Sequence, residues 1–158
     1  MKKVFTIVAF FLISVVVLNS CSKYEDGPGI SLRSKKARMA NIWKIDKITD
    51  LDTGNEVDQN EFMGFADSSG ASSSVVLTFD IKKDGKIDVI ATISAFSLTV
   101  ASGTWEFVGD TGIKISVTST YMNTAGAQII EGTILRLANN ELWIKDKDNY
   151  QMNLASDK

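Results

Sequence analysis

Beyond Ile42, apolar and polar residues alternate along much of the chain, as expected of strands that turn one face to a core. Trp43 and Ile45 alternate with Lys44 and Asp46; Val75, Leu77 and Phe79 alternate with Val76, Thr78 and Asp80. The stretch "IKKDGK" breaks the rhythm at Asp84-Gly85, a strong hairpin signal, and Ile87, Val89, Ala91 and Ile93 resume it. Trp105 and Phe107 lead through a turn at Gly109 to Gly112 into Ile113, Ile115 and Val117. "QIIEGTILRLANNELWIKD" repeats the device around Asn139-Asn140, and Tyr150, Met152 and Leu154 complete the pattern. The spacing predicts an all-β domain of about eight strands, mostly joined by tight turns. Such connections suit a single up-and-down antiparallel barrel, whose interior at this size is filled by side chains or holds one small ligand. A β-sandwich shows the same alternation and is the alternative.

Two segments depart from the two-residue rhythm. Ser31 to Asn41, "SLRSKKARMAN", reads as a short N-terminal helix capped by Ser31. Residues 61–74, "EFMGFADSSGASSS", form the longest interruption, with Phe62, Met63 and Phe65 ahead of a serine- and glycine-rich run. Long loops in compact domains are often functional. This one is either a lid or contact patch at the barrel mouth, or a connector with its aromatics tucked against the barrel.

The first residues have a different character. Lys2 and Lys3 precede an apolar run from Val4 to Leu18, broken only by Thr6 and Ser14. As a helix that run would rise about 22 Å, short of a hydrocarbon core of roughly 30 Å, so it reads as an export signal. Leu18-Asn19-Ser20-Cys21 resembles the lipobox of bacterial lipoproteins. The resemblance implies that residues 1–20 are a signal peptide and that Cys21 is acylated, with palmitate-type chains on its thiol and its new amino terminus. Residues 21–30, with the sole proline, then read as a flexible tether and 31–158 as the barrel domain. Several acyl chains, at ~0.8 kcal/mol per buried CH₂, make such attachment effectively permanent. The implied location is the cell envelope. Ser22 agrees with the outer membrane, on its periplasmic face or at the cell surface, and Glu25 and Asp26 can accompany surface display.

"RMANIWKID", "LTFDIKKDGKI" and "SGTWEFVGDTGIKI" together resemble the lipocalin-like lipoproteins of Gram-negative bacteria. The resemblance implies a small exported barrel. True lipocalins place glycine two residues before the first-strand tryptophan, where this chain has Asn41; its literal G-x-W is Gly103-Thr104-Trp105, in mid-chain.

Composition narrows the chemistry. The chain has no histidine and Cys21 is its one cysteine, so neither a Cys/His zinc site nor a His-dependent nucleophile can be built. Asp80, Asp84 and Asp88 lack the alternating oxygens of a calcium loop, because Ile81, Lys82 and Lys83 intervene. No paired carboxylates are recognisable, and the expectation is a non-enzymatic protein without cofactor or metal. The formal charge of −2 becomes more negative by two once Lys2 and Lys3 are removed, which does not suit nucleic acid. The expected partners are therefore the membrane, through the acyl chains, and a small apolar or amphipathic ligand in the barrel. The alternative is a protein–protein interaction or inhibitor module.

Candidate ligand-binding residues are Trp43, Phe62, Phe65, Trp105 and Glu131. The tryptophans, with Phe107, serve equally as core. Glu131 shares its parity with Ile129, Thr133, Leu135 and Leu137. Either it meets a polar group or ligand inside the barrel, or Gly132 marks a bulge that turns it outward. Trp143 lies between inward Leu142 and Ile144, which puts it on the outer face as a candidate partner contact.

Overall fold

Each strand pairs antiparallel with its neighbours in sequence, and the last returns to the first. The computed structural model describes residues 32–62, 75–119 and 128–157. The expected signal peptide, acylated cysteine and tether, together with Ser31 and Phe65, lie outside the described residues. Helix α1 (Lys35–Met39) leads into β1 (Ile42–Asp50), and a single turn, α2 (Gln59–Phe62), follows. The rest is strand: β2 (Val76–Ile81), β3 (Lys86–Ile93), β4 (Phe96–Val108), β5 (Gly112–Ser119), β6 (Gln128–Leu137), β7 (Glu141–Asp146) and β8 (Tyr150–Ser156). Pairing of β1 with β8, from Trp43 opposite Ser156 to Asp50 opposite Tyr150, closes the barrel and excludes the sandwich.

Three shifts of register separate this barrel from a strict period of two. They fall between Ile45 and Lys47 in β1, opposite Val89 and Ile90 in β4, and between Ile134 and Arg136 in β6. Each extra residue sharpens the local twist, which a closed sheet of eight strands requires. In β1 the bulge leaves Asp46 and Lys47 both exposed, so the inward positions run Trp43, Ile45, Ile48. In β6 the inward parity is that of Ile130, Gly132 and Ile134, and the bulge then returns Leu137 to the interior.

Glycine is required where backbones press together. A Cβ on Gly103 would run into the carbonyl of Ser116 and lie 2.8 Å from the Val117 Cα. One on Gly132 would lie 2.7 Å from the Lys145 carbonyl oxygen. A strand glycine marks such a close approach, and Gly103 thereby lets β4 lie close against β5.

Helix α1 closes one end of the barrel. Its cap is Ser34, whose hydroxyl accepts from the Ala37 N–H at 3.2 Å, so the helix is shorter than the expected span of 31–41. Arg38 Nη1 donates to the Leu137 carbonyl at 2.6 Å, which fastens the helix to the end of β6. Lys35 lies over the Phe107 ring, 3.9 Å from its centre. Beneath, Met39, Trp43, Ile87, Ile113, Ile134, Leu137 and Leu142 are completely or almost completely buried. Removing most of such a side chain typically costs about 2–5 kcal/mol.

Candidate functional site

The two ends of the barrel are built from different materials. At the end under α1, Trp43 donates its indole N–H to the Met39 carbonyl at 2.9 Å, and Trp105 donates to the Lys82 carbonyl at 2.9 Å. One indole thus satisfies the last turn of the helix, and the other satisfies the β2–β3 turn. Trp105 also meets Phe107 edge-on at 5.1 Å. Asn41 is buried here as well: its amide donates to the Asn139 carbonyl at 3.2 Å and to the Ser156 hydroxyl at 3.0 Å. Where a lipocalin would have glycine, this chain has a polar staple joining β1 to the β6–β7 turn and to the end of β8.

The opposite rim has two sectors. Over β1, β2 and β8, the segment after β1 folds back: Val57 donates its N–H to Ile48 at 2.9 Å, and Gln59 Nε2 donates to the Val75 carbonyl at 3.0 Å. Phe62 reaches the Tyr150 ring edge-on at 5.2 Å. Ile48 and Leu77 are fully buried in this sector.

Over β3, β4 and β5 the inward residues are small, namely Val89, Ala91, Ala101 and Val117, and each keeps a little solvent exposure. Beyond them the hairpin runs on. Ala91 pairs with Leu98 and Ile93 with Phe96, and cross-strand partners share one face of the sheet. Ala91 fixes that face as the inner one. Leu98 is 48% exposed, Ile93 50% and Phe96 82%. The apolar inner lining of the barrel therefore continues past the rim as an uncovered strip. Ser94, with φ of 55°, makes the two-residue turn at its tip.

The sequence candidates do not converge. Trp43 and Trp105 sit at the end closed by α1, with their N–H groups used by the backbone. Phe62 is at the other rim, and Phe65 lies outside the described residues. Glu131 is exposed on the outer surface, 3.3 Å from Lys114 Nζ. The parity that grouped it with Ile129 and Leu137 fails because the β6 bulge lies at Ile134/Arg136 and not at Gly132. Trp143 faces outward, half-buried, with the Arg136 guanidinium 5.2 Å above its ring and Arg136 held 2.7 Å from Glu141.

Ile93, Phe96 and Leu98 were not among the candidates. Their signal was nonetheless present, since no charged residue occurs between Asp88 and Glu106.

Electrostatic structure lies on the outer wall. The Asp88 carboxylate accepts from Lys82 and from the Ser102 hydroxyl, and these two bonds hold its pKa below the ordinary value; Lys82 is raised in turn, first by its bond to Asp88. Asp50 is lowered by the Asp52 N–H and the Thr53 hydroxyl. Among the described residues no group of three or more carboxylate, thiol or imidazole side chains is placed to hold a metal. Nor, among them, is any helix long and apolar enough to cross a membrane.

No protein-family model matches the chain, and no curated protein does. Solved structures do. The chain is similar to a lipocalin-like protein from Bacteroides uniformis, with a TM-score of 0.52 and 14% identity over 75% of this chain and 98% of that one. It is also similar to an uncharacterized protein from Bacteroides eggerthii, with a TM-score of 0.50 and 11% identity over 75% and 98% of the two chains. At these identities the likeness concerns the fold: the described residues form a lipocalin-like, closed eight-stranded barrel.

Proposed function

We propose that this protein is an exported lipoprotein, held in the cell envelope by acyl chains on Cys21, whose barrel binds a small apolar or amphipathic ligand at the rim opposite α1. The observation that carries the ligand reading is the strip of Ala91, Ile93, Phe96 and Leu98, which joins the barrel lining to solvent. A ligand lying along it would cover exposed Phe96 and Leu98 and reach the small side chains of Ala91 and Ala101. The strip itself carries no polar orienting group; Thr92 and Ser97, with their hydroxyls 2.9 Å apart, pair on the opposite, outer face of the hairpin. Such a site selects for apolar bulk, and its role is binding without turnover. The lipocalin-like fold supports this reading.

The test is titration of the chain from Ser22 onward with a fluorescent fatty acid. Saturable uptake is expected, weakened by Ala101→Leu, which fills the rim, and unaffected by Trp143→Ala. Absence of uptake would refute the ligand reading. The anchor is tested separately by metabolic labelling with a tagged fatty acid, which Cys21→Ala must abolish.

A further inference from the structure

We propose that the tip of the β3–β4 hairpin docks into the acyl region of the same bilayer that carries the Cys21 anchor, through Ile93, Phe96 and Leu98. The inference rests on the anchored reading above and adds an orientation to it: the ligand rim faces the lipid.

Three observations favour lipid as the occupant. The apolar side chains sit at the free end of a hairpin, with Phe96 the most exposed aromatic among the described large hydrophobics. The polypeptide from Val89 through Trp105 carries no charge, so no ionised group has to be dehydrated when the tip enters an apolar phase. At the tip itself the turn residues are Ser94 and Ala95, the outward pair is Thr92 and Ser97, and the two hydroxyls of that pair share one hydrogen bond of 2.9 Å. A partner surface recognised by charge would find nothing to pair with on this segment.

Chain length permits the orientation. Extended, the chain between Cys21 and Leu32 reaches at most about 40 Å. The eight residues of β3 span about 26 Å. A tether that joins the described chain at Leu32, just before α1, is therefore long enough for its anchor to share a bilayer with the tip at the opposite rim. Insertion would be held by tethering, because three side chains form a weak contact that a high local concentration makes persistent.

The experiment uses the full acylated chain carrying Ala95→Cys, labelled with a thiol-reactive fluorophore and reconstituted in phosphatidylcholine vesicles with lipids brominated along the acyl chains. The label beside Phe96 should be quenched several-fold more than one on Val108→Cys, at the other end of the barrel. Adding Phe96→Ser should remove that difference while the near-ultraviolet dichroism of Trp43 and Trp105 is unchanged. Equal quenching at both positions, or none at position 95, overturns the proposal; a hairpin that serves a protein partner gives this result in pure lipid. A label taken up by Cys21 itself would instead show that the thiol is not acylated, and the anchor fails together with the orientation built on it.

Discussion

Asp88 shows how single residues act on the barrel wall. Its carboxylate joins Lys82 of the β2–β3 turn to Ser102 of β4, so one side chain ties three consecutive segments. Its folded pKa lies below the ordinary 3.8 because Lys82 and then Ser102 stabilise the ionised form. The stability it contributes is therefore present above that ordinary value and is lost as pH falls through the lower folded value. Lys82, raised above 10.5, contributes in the opposite sense: its share is present below that value and is lost as pH rises through the folded pKa. Denaturant midpoints measured on acidification should fall below about pH 4, and Asp88→Asn should flatten part of that fall. Identical acid profiles for the two proteins would mean that this carboxylate is not coupled to folding.

At the scale of elements, β4 has most to explain. It runs for 13 residues, bulges opposite Val89/Ile90, presses closely on β5 at Gly103 and carries part of the exposed strip at its start. Gly103→Ala forces a methyl group into the β5 backbone and should destabilise the fold by about 1–3 kcal/mol, the usual range for overpacking. The denaturation midpoint reads this directly, and an unchanged midpoint would show that the β4–β5 approach relaxes freely.

The same strand shows what could be read beforehand and what could not. Trp105 and Phe107 were legible because alternation and the glycine turn after them agree. The residues from Phe96 to Val100 were not, because the Ser94-Ala95 turn has neither glycine nor asparagine to mark it. Glu131 shows the other obstacle: a bulge three residues further along inverts parity, and periodicity has no means of locating bulges. Helix α1 was visible in outline. Its cap is Ser34, and local pattern does not separate that serine from Ser31 three residues earlier.

For the molecule as described, the eight strands and their antiparallel order follow from mostly short turns and one apolar face per strand, which is why the barrel was readable. The site was not, because it arises from an asymmetry between ends. Large residues and two indoles fill the end beneath α1, while alanines line part of the other and the hairpin overshoots it. No local pattern reports which end of a strand will lie beyond the rim.

Backbone amide shifts during titration with a fatty acid report on that asymmetry between the two ends. The largest changes should fall on residues 91–101, with Trp43, Trp105 and the outer face around Trp143 nearly unmoved. Shifts centred on Trp143, or no shifts at saturating ligand, would contradict it.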